Sequence, residues 1–327
     1  LNVNLPVVRF IRLGALLLAL GIAPVRAAEP VLEFRGLANA SAAVRVGEDR
    51  FLAGCDENNV LQLYRNTGGN PQASFETSPW LGLTTRNGEA DFEGAARLGD
   101  VVFWLGSHGR NKSGEKRPDR QRLLAVRVVE PSGGGSVRLE PVGEPVMTLV
   151  EQMAAASTLT RFGLAEASRR PPEEPGGLNL EGLAAGPGDS LWLGFRNPVP
   201  EGKALLVPLE NPLEVIAGRP ARFGEPQLLE LGGRGIRDLV WTGRDYFMIG
   251  GAAGGGGKSQ LYRWAGEASA PVPVGKAFPK SLNPEALVVF GSAESPRLLV
   301  LSDDGGRSAN ETWDFARRTF RAVWVTP

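Results

Sequence analysis

Asp91-Phe-Glu-Gly-Ala-Ala-Arg-Leu-Gly-Asp-Val-Val-Phe-Trp-Leu-Gly-Ser-His108 decides the fold, because its pattern returns along the chain. A carboxylate pair opens it, an apolar segment follows, a Gly-Asp turn reverses direction, and a second apolar segment runs into a polar loop. Asn179-Leu-Glu-Gly182 leads through Gly188-Asp189 into Ser190-Leu-Trp-Leu-Gly-Phe-Arg196 in the same way. Asn283-Pro-Glu285 opens a third copy, Ile236-Arg-Asp238 a fourth, and Asn39-Ala-Ser41 a fifth. A strand-turn-strand unit repeated at intervals of about 50 residues is the signature of a propeller or solenoid, since one unit cannot bury both faces of its sheet alone.

Each unit supplies more than two strands. Third strands are expected at Val60–Arg65, Arg122–Val128, Ala204–Leu209, Ser259–Trp264 and Phe320–Val325. Weaker fourth strands are expected at Ala73–Glu76, Ser136–Glu140, Gln227–Leu231 and Pro271–Val274. The last unit has no fourth strand of its own, whereas Val31–Phe34 precedes the first unit without a sheet to join. Pairing the two closes a ring and removes the open edges that would template aggregation. The expected fold is therefore all-β: a five-bladed β-propeller closed by its N-terminal strand. Glu93 and Glu181 are 88 positions apart, while the other intervals are 56 or fewer. Helix-like spacing of Met147, Val150, Met153 and Ala154 places the surplus in a helical insertion over about 145–177, after the second blade. Six blades, with one concealed in that surplus, is the alternative.

Composition narrows the function classes. Basic and acidic side chains number 36 each, which gives no electrostatic footprint for nucleic acid. Glycine at 43 and proline at 25 suit a chain of many turns. The single cysteine, Cys55, excludes an intramolecular disulfide and a cysteine zinc cage. Arg9 and Arg12 precede an apolar run from Leu13 to Ile22, and Val25-Arg-Ala27 offers small residues for cleavage. Residues 1–27 are accordingly expected to be a signal peptide and 28–327 a single propeller domain, exported to the periplasm or the exterior. The apolar run is about a dozen residues, short of the roughly 20 of a spanning helix, so no membrane insertion is expected after cleavage. A monomer is expected.

In a propeller the first strand of each blade lines the central channel, so the repeated openings gather at one mouth. Glu93, Glu181 and Glu285 would converge there with Asp91, Asn179 and Asn283 two residues before them. Carboxylates confined together raise one another's pKa unless a cation intervenes. Ca²⁺, which takes carboxylate and amide oxygens, is one such cation. Arg237, which stands at the glutamate position of its own unit, is another. A third outcome is that each glutamate caps backbone N–H groups at a blade boundary. The loops after the second strands share the same end and bring His108, Arg110, Arg120, Arg196 and Lys203 to the rim. Arginine forks suit phosphate or carboxylate, and His108, the only histidine, could act as acid or base. Gly250-Gly-Ala-Ala-Gly-Gly-Gly-Gly-Lys-Ser259 fails the spacing of a phosphate loop and runs into a strand where that motif needs a helix.

The motifs Gly106-Ser-His-Gly-Arg-Asn-Lys112, Gly194-Phe-Arg-Asn-Pro198 and Ser302-Asp-Asp-Gly305, with the Asp91-Phe-Glu-Gly94 and Asn179-Leu-Glu-Gly182 openings, resemble the bacterial family domain of unknown function 3616. The resemblance runs from the first repeat to Phe320-Arg-Ala-Val-Trp324 and implies no activity. A looser similarity is to exported propellers of the esterase-like phytase group. Two functions are expected from different classes. One is a hydrolase acting on a small anionic substrate (phosphate ester, lactone or acidic sugar), with Glu93, Glu181, Glu285 and His108 catalytic. In it Arg110, Arg120, Arg196, Arg237 and Lys203 hold the anion. The other is a non-catalytic module that binds a small acid, glycan or protein on the same face.

Overall fold

The computed structural model describes residues 30–85, 88–130, 136–267, 269–307, 310, 312 and 314–327. The expected signal peptide over residues 1–27 lies outside the described residues. Five four-stranded antiparallel sheets stand in a ring. The strands in chain order are β1 (Leu32–Arg35), β2 (Ala42–Val46), β3 (Arg50–Gly54), β4 (Val60–Arg65), β5 (Ala73–Glu76), β6 (Phe92–Leu98), β7 (Val101–Gly106), β8 (Leu123–Val129), β9 (Arg138–Pro141), β10 (Asn179–Ala185), β11 (Leu191–Asn197), β12 (Ala204–Leu209), β13 (Gln227–Leu229), β14 (Gly235–Trp241), β15 (Tyr246–Gly251), β16 (Gln260–Trp264), β17 (Val272–Pro273), β18 (Pro284–Gly291), β19 (Pro296–Ser302) and β20 (Thr319–Val325). The five-bladed propeller expected from the repeats is thus the fold, and the six-bladed alternative fails.

The innermost strands β2, β6, β10, β14 and β18 each contact the next and close the circle. Blade 5 is completed by β1, which pairs antiparallel with β20 through Phe34 opposite Phe320. Phe34 stacks on Phe320 at 4.9 Å and meets Phe51 and Tyr64 of blade 1 edge-on, so ring closure is welded by an aromatic cluster. The core lies between blades rather than at the axis. Leu52 and Leu63 of blade 1, for example, pack with Phe92 and Trp104 of blade 2. Both faces of every middle strand are therefore buried, which is why β7, Val-Val-Phe-Trp-Leu-Gly, reads as an unbroken apolar run and not as an alternation.

The surplus between blades 2 and 3 holds α1 (Leu149–Ala155) and α2 (Leu164–Ala167). Leu149, Val150 and Met153 turn inward from α1 and join the core between those two blades. Met147 precedes the helix and is exposed. A further short helix, α3 (Pro212–Ile216), fills the connection between β12 and β13.

Candidate active site at the channel mouth

The decisive local feature is a β-bulge at the start of the innermost strand, present in four of the five blades. The register slips across Glu93 in β6, Glu181 in β10, Arg237 in β14 and Glu285 in β18. A bulge leaves its extra residue out of the ladder and re-aims its side chain. The four ionisable residues at equivalent positions are those extra residues, and all four line one cavity of about 550 Å³ at the mouth of the channel. Blade 1 carries Ser41 at this position, with a regular register after it.

Across blades the side chains form an arc of charge-assisted bonds. Ser41 Oγ donates to Glu285 Oε2 at 3.3 Å. Arg237 Nη2 donates to Glu285 Oε1, Nη1 to Asn283 Oδ1 at 2.8 Å, and Nε to Glu181 Oε2 at 3.4 Å. Arg196 Nη1 and Asn179 Nδ2 both donate to Glu181 Oε1, at 2.7 and 2.8 Å. Arg237, weighed above as a cation for this ring, stands between Glu181 and Glu285. Among the described residues no group of three or more histidine, cysteine, aspartate or glutamate side chains is placed to hold a metal ion.

Glu93 is left out of the arc: among the described residues its carboxyl makes no hydrogen bond and no ion pair, yet it lines the cavity. Burial, then the charges of Glu181, Asp91 and Asp56, push its pKa well above the ordinary 4.5, against the pull of Arg196. Its two acidic neighbours are poised near neutrality. Burial and the charge of Asp91 raise Asp56 to about 7, although Asn39 Nδ2 donates to it at 2.7 Å. Burial raises Asp91 to about 6, opposed by Arg120 at 3.1 Å and by the Ser107 hydroxyl, which donates to Asp91 Oδ2. Asp91 adopts φ 54°, a left-handed conformation that strains a residue with a Cβ and is concentrated at functional sites.

Two loops wall the mouth. The glycine-rich stretch after β15 offers the carbonyls of Ala252 and Gly254 to Arg196 at 3.0 and 3.3 Å. The proline-rich end of the insertion is pinned by Asn197 Nδ2, which donates to the carbonyls of Pro172 and Glu174. Glu173 and Gly255 to Gly257 consequently line the cavity. The chain after Gly250 is thus a wall of the site and serves no phosphate-loop role.

Several expected residues sit elsewhere or do something else. Arg120, Arg196 and Arg237 line the cavity, but each is committed to a carboxylate; Arg120 also bonds Glu89 at 2.6 Å. Lys203 does not reach the cavity. His108 lies outside it as well, in a second cleft against α1. Arg110 borders both and, with Lys112, is a cation at the mouth that has no carboxylate partner among the described residues. Asp238 is structural: it accepts the backbone N–H of Leu287 at 2.7 Å and of Leu239 at 2.8 Å, tying blade 4 to blade 5. Asp56 lines the cavity from a rim loop, where the strand order places it, whereas Ser107 and Glu173 were not among the expected site residues. Ser107 was reachable from its loop position alone, Glu173 only through the packing of the insertion.

With this geometry in hand, known proteins can be compared. A family model, protein of unknown function (DUF3616), matches residues 144–304. The resemblance to DUF3616 stands on that stretch, which takes in the Asn179-Leu-Glu-Gly182 and Gly194-Phe-Arg-Asn-Pro198 motifs. It is shorter than expected, since Asp91-Phe-Glu-Gly94 and Gly106 to Lys112 fall outside the DUF3616 match. No curated protein matches the chain in sequence. Solved structures similar in fold include the glutaminyl cyclase of Myxococcus xanthus, at 11% identity and TM-score 0.45, covering 92% of this chain and 96% of that one. An exo-β-1,3-galactanase of Phanerochaete chrysosporium follows at 9% identity and TM-score 0.47, covering 91% and 63%. An exo-1,5-α-L-arabinanase from a bovine ruminal metagenomic library matches at 6% identity and TM-score 0.43, covering 88% and 92%.

Proposed function

We propose that the protein is a hydrolase that works by proton transfer at the channel mouth, with Glu93 as the acid. The observation that carries this is the Glu93 carboxyl, which lines the cavity without a hydrogen bond or ion pair among the described residues and whose pKa burial and neighbouring charge push well above the ordinary range, beside two carboxyls raised to about 6 and about 7. Carboxyls whose environments push their proton affinities apart divide into acid and base. In this mechanism Glu93 gives its proton to the leaving oxygen of a C–O bond. Asp91 takes a proton from water, the hydroxide adds at carbon, and the C–O bond breaks. The arc of Glu181, Arg196, Arg237 and Glu285 holds the channel side of the cavity rigid.

The charge pattern selects the substrate. A phosphate dianion at the reacting end would face the carboxyl cluster, so a phosphate ester is disfavoured. An acidic sugar, or a lactone that carries a separate carboxylate, keeps its reacting end uncharged and directs that carboxylate outward, to Arg110 and Lys112. The basic and apolar stretch over residues 1–27 supports an exported protein.

The test is turnover of a panel of lactones and aryl uronides. Activity should fall as pH rises through the raised pKa of Glu93, because the acid must hold its proton. Glu93→Gln should lower kcat by about 100-fold or more, and Lys112→Ala should raise KM and leave kcat in place. Tight binding of a panel member without turnover would replace this proposal by the binding-module function. Full activity in Glu93→Gln would remove the acid from it.

A further inference from the structure

We propose a second ligand site, for a small aromatic carboxylate, at the opposite mouth of the channel, in a cavity of about 390 Å³. It shares no lining residue with the acidic mouth.

The repeat that builds the acidic mouth also builds this one. Ser41, Glu93, Glu181, Arg237 and Glu285 stand at the openings of the five innermost strands. Four residues further along come Arg45, Arg97, Ala185, Trp241 and Val289, and all of them line the second cavity. The positions two before these hold only alanine and leucine, so the throat behind the rim is apolar. In a ring of five blades, blade 4 lies across the axis from the boundary between blades 1 and 2. Trp241 of blade 4 therefore stands across the mouth from Arg45 and Arg97.

The side chains on the two sides of the mouth are held in place and left incomplete. Arg45 Nε donates to the carbonyl of Gly47 at 2.7 Å and Nη1 to that of Gly291 at 3.5 Å, and the guanidinium lies over the Phe290 ring at 5.4 Å. Arg45 is thus fixed between blades 1 and 5, yet it has no carboxylate within ion-pair distance among the described residues. Arg97 repeats the anchor one blade on, its Nε donating to the carbonyl of Gly99 at 2.8 Å. Its Nη1 is 3.6 Å from Glu130, a carboxylate that Arg50 shares. Across the mouth, Trp241 packs on Tyr246 at 4.6 Å and still leaves 39% of its surface exposed. A guanidinium without a counter-charge and an open indole on one apolar cavity ask for the two halves of one ligand. The carboxylate accepts from the arginine forks, and the ring covers Trp241 and the throat. A compact anion would leave the indole bare, and an uncharged ring would leave Arg45 uncompensated. A largely apolar lining with a few placed polar groups is the usual make-up of a small-molecule pocket.

Isothermal titration calorimetry of the intact protein with benzoate should show saturable binding at one site. Benzyl alcohol, which lacks the charge, and butyrate, which lacks the ring, should each bind about tenfold more weakly. Arg45→Met and Trp241→Leu, which both alter the rim, should each weaken benzoate by about tenfold. Glu93→Gln, at the acidic mouth, should leave the titration unchanged. The proposal is overturned by the absence of saturable binding, by undiminished binding in Arg45→Met or Trp241→Leu, or by either analogue binding as well as benzoate. Loss of binding in Glu93→Gln would overturn it too, because the ligand would then sit at the acidic mouth.

Discussion

Asp56 offers a direct test of whether the acidic cluster exists for stability or in spite of it. The perturbation is Asp56→Asn, which keeps an oxygen to accept the Asn39 amide and removes the charge. Burial and Asp91 raise the Asp56 pKa from 3.8 to about 7 in the folded chain. Below about pH 4 both folded and unfolded chains hold the proton, so Asp56 carries no penalty. Between about 4 and 7 the unfolded chain releases it while the folded chain retains it. The unfolded state then binds fewer protons, and stability falls as pH rises. Above 7 the loss is complete, and the shift corresponds to at most about 4 kcal/mol. Water in an open cavity and relaxation of the coupled carboxyls reduce this to about 1–3 kcal/mol. Asp56→Asn should therefore be more stable than the wild type by about 1–3 kcal/mol at pH 8 and indistinguishable from it near pH 4. Urea denaturation at the two pH values, with the slope m checked for constancy, reads the difference. A variant less stable at pH 8, or an equal gain at both pH values, would refute the argument. Asp56 would then be a structural residue, and the cluster would lose the strain expected of a functional site.

Arg237→Met removes the guanidinium between Glu181 and Glu285, so it should destabilise the fold by about 3–5 kcal/mol in urea denaturation at neutral pH; a loss below about 1 kcal/mol would mean the arc carries no weight. Phe34→Ala opens a cavity where β1 closes the ring and should cost about 3–5 kcal/mol. A near-neutral Phe34→Ala would show that ring closure does not depend on that cluster.

How far the site could be foreseen depended on the range of the interaction. The repeated openings made it plain that Glu93, Glu181, Arg237 and Glu285 are equivalent, because equivalent positions in repeated units share a local pattern. That they occupy bulges was hidden: a bulge is one residue of slippage against the neighbouring strand, and nothing in Asn179-Leu-Glu-Gly182 marks it. The roles of the arginines were hidden too. Arg196, Arg237 and Arg120 have the same chemistry as anion-holding residues, and only the partner across the blade boundary commits them to carboxylates. His108 lies one residue beyond Ser107, which faces the channel mouth, but it turns away into the cleft against α1.

The sequence alone determined that this chain makes five similar sheets, that its first strand completes the last, and that acidic openings share one end of the axis. Those conclusions follow from apolar runs, turn residues and spacing, which act within a few residues of the chain. The tertiary structure decided which carboxyls at the channel mouth are paired with arginine and that Glu93 is left outside the pairing, its pKa raised by burial and by its acidic neighbours. Charge compensation depends on distances of a few ångströms between residues as far apart as Ser41 and Glu285. Those distances exist only once the ring has closed.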